Sequence, residues 1–129
     1  MKYFIPALIW AIVILVLSLI SANKIPHFAW SDFIALDKVA HIGMYFVFAL
    51  LLNAGFYCSG RKERRVREYV LFGALFGLIV EGLQYVSHTG RHFEWADVVA
   101  NTLGMYLGVW SFIKSKNNFK ICGLFLKKF

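Results

Sequence analysis

Residues 69–87 read YVLFGALFGLIVEGLQYVS, an apolar run long enough to cross a bilayer and interrupted by one charge, Glu81. Gly73, Gly77, Glu81 and Gln84 follow one another at steps of three or four and therefore share a helix face. A carboxyl in such a run is costly and ordinarily lines an interior or a wet cavity, which makes it a functional candidate. Small residues four apart on the same stripe let a neighbouring helix approach closely.

Three further apolar runs flank this one, at residues 3–22, 39–58 and 96–113. With 60% hydrophobic and 18% aromatic residues in 129 positions, the chain is unlike a soluble domain and has room for one domain. The expected fold is all-α, an integral membrane four-helix bundle. Residues 1–113 form its transmembrane domain and residues 114–129 a basic interfacial tail, in which Phe119, Ile121, Leu124 and Phe125 mix with lysines. The first run resembles a secretory signal in its Met1-Lys2 start and Ser21-Ala22 end. It is longer than a signal core and three more spans follow, so it is expected to be retained.

Charge sets the expected orientation. Arg61, Lys62, Arg64, Arg65 and Arg67 fill the second loop, and Lys114, Lys116, Lys120, Lys127 and Lys128 follow the fourth run. With Lys2 these are most of the 14 cations; the first and third loops hold Lys24, Lys38 and Arg91. The positive-inside rule then places both termini in the cytoplasm of a multi-pass cell-membrane protein. The basic segments are topology determinants that also suit anionic lipid, and they call for no nucleic-acid partner. It follows that Asp37 and His41, Glu81 and Gln84, Arg91, and Asp97 and Asn101 all fall at the outer end. The fourth span carries Asp97, Asn101, Gly104 and Gly108 on one stripe. Paired with the stripe of the third span, it predicts helices tight at the inner end and splayed around a polar cavity at the outer one.

The ordered set Asp37-Lys38-x-x-His41 with Tyr45, Glu81-x-x-Gln84, Gly90-Arg91, Asp97-x-x-x-Asn101 and Gly104-x-x-x-Gly108 resembles the VanZ-like family, named for an accessory glycopeptide (teicoplanin) resistance protein. The resemblance runs from the first helix to the end of the fourth. It implies a small helical membrane protein of the cell envelope, grouped with lipid-modifying enzymes acting on phospholipid or polyprenyl-linked headgroups, with the shared polar residues as the site. His92 and Glu94 are not carried over.

The residue types suit phosphoester chemistry at an interface. Arg91 could hold a phosphate bidentately and Lys38 could add a second cation. His41 could act as base or nucleophile, with Asp37 one turn earlier fixing its tautomer. Glu81 must either pair with a cation or hold its proton, and in the second case it could be a general acid. Asp97 completes the catalytic candidates by orienting Arg91 or a metal. Tyr45, Gln84 and Asn101 could hydrogen-bond a headgroup. The structural alternatives are equally concrete: Asp37 and Asp97 as helix N-caps, His41 as an interior histidine, Glu81 in an ion pair that merely ties helices together.

No cofactor is assigned. His41, Asp37, Glu81 and Asp97 form an oxygen-rich set that would suit a divalent cation such as Mg²⁺ or Mn²⁺ more than structural zinc, but no diagnostic ligand spacing is present. Cys58 and Cys122 both fall on the expected cytoplasmic side, so no disulfide is expected. Three functions compete. The first is an outward-facing enzyme on a lipid or lipid-linked envelope precursor. The second is a non-catalytic lipid- or antibiotic-binding protein contributing to glycopeptide resistance. The third, a small transporter, is disfavoured by inner halves of spans three and four that offer little but glycine and apolar groups.

Overall fold

The computed structural model describes residues 2–20, 30–60, 66–87 and 94–115, with side chains from Leu36 in the second helix and from Arg67 in the third. After a short 3-10 turn at Lys2–Phe4 come four helices: α1 (Ile5–Leu19), α2 (Trp30–Cys58), α3 (Val66–Val86) and α4 (Trp95–Ser115). No strand occurs among the described residues. The chain is therefore an all-α membrane protein, as its composition requires.

Contacts fix the relative directions. Lys38 meets Asp97 and His41 meets Asn101, while farther along Tyr57 stacks edge-on against Phe112. Residue numbers on α2 and α4 rise together, so these two helices run parallel, and their contact is the largest in the bundle. On α3 the numbers fall as those on α4 rise. A β-carbon at Gly73 would strike the Met105 side chain, and one at Gly77 would lie 2.9 Å from Asn101 Nδ2. Between α2 and α3 the spacing is set by aromatics instead, with Tyr45–Phe76 at 5.9 Å, Phe48–Phe76 at 5.4 Å and Phe56–Tyr69 at 6.0 Å. The first helix is attached by Trp10 Nε1, which donates to the Met44 carbonyl at 2.9 Å, and by Gln84 Nε2, which donates to the Ser18 carbonyl at 2.5 Å.

The glycine stripes act differently from the expected pairing. Those of α4 do not face those of α3. Gly104 and Gly108 lie against the α2 main chain, where added β-carbons would collide with the carbonyls of Ile42 and Phe46. Each stripe thus admits a different neighbour: α3 uses its glycines to take in α4 side chains, and α4 uses its own to take in the α2 backbone.

Exposed apolar side chains recur at helical spacing on the outside. Leu8, Ile12 and Val16 mark α1, Leu71, Leu75 and Ile79 mark α3, and Val99, Leu103, Tyr106, Trp110 and Ile113 mark α4. Water would not tolerate three such stripes, whereas lipid tails favour them. Segments Lys2–Leu19, Leu36–Cys58 and Arg67–Val86 are long and apolar enough to cross a membrane. The 21-residue α4 has comparable length, but Asp97 and Asn101 dilute its apolar content. It is also the helix gripped on two sides, which is where those two side chains are buried.

The second helix starts earlier than expected and the fourth within one residue of expectation, and neither aspartate is the cap. The second helix begins at Trp30, well before residue 39, so Asp37 lies about two turns inside it and does not cap it. The fourth begins at Trp95, so Asp97 sits in the first turn, where a carboxylate favours the helix dipole but is not the cap. Cys58 is disulfide-bonded, against expectation. That expectation rested on the reducing, cytoplasmic compartment inferred from charge, and the bond counts against that placement of this end; Cys122 lies outside the described residues. Most of the tail, from residue 116, lies outside them too.

Candidate functional site

The buried polar residues Ser18, His41, Glu81, Gln84, Asp97 and Asn101 gather at one end of the bundle, where α1 and α3 finish and α4 begins, while Asn53 lies apart near the end of α2. They are packed rather than spread around an open mouth: Glu81 and Asn101 are 0% exposed, Gln84 1%, His41 2% and Asp97 6%. The partly exposed Asp37 and Lys38 and the exposed Glu94 form the rim.

Lys38 is the hub of the rim. Its ammonium contacts Asp97 Oδ1, donates to Glu94 Oε2 at 2.7 Å and lies 3.8 Å from Asp37 Oδ2. One turn deeper, His41 Nδ1 lies 2.8 Å from Asn101 Oδ1. With that oxygen accepting, Nδ1 carries the proton and Nε2 presents its lone pair. Asp37 Oδ1 is 3.9 Å from Nε2, too far for a hydrogen bond. Asn101, rather than Asp37, therefore sets the imidazole.

Glu81 sits on the opposite wall. Gly73 meets Met105 and Gly77 meets Asn101, so one further turn along each helix sets Glu81 level with Asp97. Asp97, Lys38 and Asp37 all lie within electrostatic reach of its carboxyl. The Glu94 main chain is near as well, but no hydrogen bond closes between them. Neither oxygen of this fully buried carboxyl has a hydrogen-bond partner among the described residues, nor has Asn101 Nδ2 or the Tyr45 hydroxyl. Buried polar atoms are satisfied almost everywhere in native proteins, so four such atoms in one region mark a place built for polar chemistry.

The residues expected to act together separate into groups. Asp37, Lys38, His41, Glu81, Asp97 and Asn101 converge. Tyr45 lies one turn below His41, within reach of Glu81 and against the Phe76 and Phe48 rings. Gln84 uses its amide to hold α1 and serves as a strut. Arg91, His88 and His92 lie outside the described residues. Two participants escaped the sequence reading. Ser18 is a lone polar residue in an otherwise apolar α1, a signal that was visible, and its carbonyl receives Gln84. Glu94 precedes α4 and shares Lys38 with Asp97, which no spacing rule within a helix would reveal. Asp37, His41 and Asp97 are the described residues whose ligand atoms come close enough together to hold a metal ion.

No curated protein and no solved structure matches the chain significantly. A family model described as VanZ/LLP1 does match, over residues 3–118, a span that contains all four helices and every residue of the polar end. The chain belongs to the VanZ/LLP1 family.

Proposed function

We propose that this membrane protein binds a lipid or lipid-linked headgroup at its polar end and modifies it at a phosphoester. The observation that carries the reading is the Glu81 carboxyl, fully buried and without a hydrogen-bond partner, within electrostatic reach of Asp97, Lys38 and Asp37 at the end of the bundle where Asn101 holds the His41 imidazole. A structural ion pair would have given Glu81 a direct partner. In the proposed reaction His41 Nε2 takes the proton from an attacking water or alcohol. Glu81 gives its proton to the departing alkoxide, and Asp97 holds Lys38 at the phosphate. Asn101 is a positioning residue, and Tyr45 is a further donor beside Glu81.

The basic second loop and tail support a cell-membrane location with the site on the outer face, where envelope precursors are exposed. A second reading, a non-catalytic lipid- or antibiotic-binding protein, draws on the same rim. Lys38 is already shared among carboxylates, as suits a fixed recognition surface.

Lipid mass spectrometry on the purified protein and its membranes separates the two, comparing wild type with Glu81→Gln and His41→Ala. The expected result is a co-purifying lipid in all three and a headgroup product that disappears in both variants. Equal lipid with no product in any chain would leave the binding reading alone.

A further inference from the structure

Four carboxyl groups, those of Asp37, Glu81, Glu94 and Asp97, meet at the polar end, and Lys38 is the cation among the described residues there. Counted over the described residues, the side-chain charge of this set is net negative in a low-dielectric setting, where repulsion is least screened. The arrangement asks for a cation of higher charge than an ammonium.

The geometry points to a divalent cation of the Mn²⁺ type held by Asp37, His41 and Asp97, with Glu81 facing it from α3. One ligand atom from each of the first three lies within 4.8 Å of the others. Three ligands spread evenly around one ion at about 2.2 Å lie about 3.8 Å apart, so each ligand atom need move inward by no more than about 0.6 Å to close the set. His41 and Asp97 are buried, unlike the acidic clusters common on surfaces.

Two independent features favour a ligand here. His41 has the arrangement of a metal-binding histidine: Nδ1 lies 2.8 Å from Asn101 Oδ1, and Nε2 is turned toward Asp37 Oδ1 at 3.9 Å. Glu81 brings a fully buried carboxyl with both oxygens unsatisfied to the level of Asp97. Three carboxylates with one imidazole match a hard-to-borderline ion rather than a thiophilic one. Lys38 competes for Asp97; on metal binding it retains Glu94 at the rim. The cation site stands on this geometry alone. With the ion bound, His41 Nε2 would be a ligand and no longer the base of the reaction proposed above; the ion's part in attracting an anionic headgroup rests on the headgroup binding of that reading.

The test is a Mn²⁺ titration of the full-length, tag-free protein in detergent, read by the loss of the free-ion paramagnetic resonance signal. One ion per chain is expected, weakened at least about tenfold in His41→Ala and in Asp97→Asn, and tightened in Lys38→Gln. Spin-echo modulation from one imidazole nitrogen is expected in the wild type and absent in His41→Ala, so the assignment does not depend on a stable carboxylate variant. Absence of binding at about 1 mM Mn²⁺, or binding indifferent to both His41 and Asp97, would overturn the site. The two proposals fail separately. Bound Mn²⁺ without any lipid product removes the enzymatic reading and keeps the metal. A product that persists in chelator, with no ion bound to the wild type, does the reverse.

Discussion

Gly77 on α3 lies so close to Asn101 on α4 that a β-carbon at position 77 would sit 2.9 Å from the amide nitrogen. Asn101 is in turn the residue that holds His41 Nδ1. The atom in the way is the end of a side chain rather than main chain, so Asn101 would turn aside while the helices stay put. Gly77→Ala should therefore cost less than about 1 kcal/mol of stability, because alanine also improves helix propensity. It should still impair any activity or ligand binding that needs the His41 orientation. Thermal unfolding measured beside the lipid product would show the split; a loss of both together would contradict it.

Glu81→Gln should stabilise the fold. The native carboxyl is fully buried with neither oxygen satisfied, and a neutral amide of the same shape is cheaper to bury. A gain of about 1–2 kcal/mol, seen as a higher unfolding temperature in detergent, is expected together with loss of product. Residues kept at a cost to stability are characteristic of working sites. A destabilised variant would mean that Glu81 has a structural partner after all.

Gly104→Ala and Gly43→Ala form a matched pair. A β-carbon at 104 would collide with the Ile42 carbonyl, which cannot move without its helix, whereas one at 43 meets nothing within 4 Å. The first should destabilise by about 1–3 kcal/mol. The second should be neutral or stabilising by up to about 1 kcal/mol. Equal effects at the two positions would show that α2 and α4 are not packed as described.

Trp10→Phe removes the indole donor that α1 offers to the Met44 carbonyl while keeping most of the ring. Interhelical hydrogen bonds in membranes average about 0.6 kcal/mol and reach about 1.7, and a loss within that range is expected. Susceptibility of α1 to protease or hydrogen exchange should rise while the polar end is unaffected.

Alkaline-phosphatase fusions test the orientation inferred from charge. A reporter after Ser87 should be active outside the cell and one after Ser115 inactive, as the positive-inside rule predicts from the lysines and arginines of the second loop and tail. The opposite pattern would turn the site inward and remove envelope precursors from consideration.

Much of this arrangement was legible in the chain before any coordinates. Apolar runs of bilayer length announce helices because the backbone has no other way to satisfy itself in lipid. Polar residues three or four apart announce a shared face, and connectivity then brings those faces to one end. Helix extent was less legible. The second helix starts at Trp30 because a helix can continue into the polar interface, where hydropathy no longer marks it. The partner of each glycine stripe was not legible either, since GxxxG declares that a helix can be approached without saying by which neighbour. The roles of Asn101 and Glu94 depend on contacts between helices 60 and 56 positions apart in sequence, beyond any local pattern.

The parallel pairing of α2 with α4 bears on how the protein is made. Chains emerge N-terminus first. Lys38 and His41 find Asp97 and Asn101 on the last helix, and Glu81 finds its wall there as well. Until that helix is inserted, the second and third must wait in the bilayer with their polar groups unanswered. Biogenesis of this protein is therefore completed at one late step, and a chain released before Trp95 would present a membrane quality-control protease with the charged surface that α4 exists to cover.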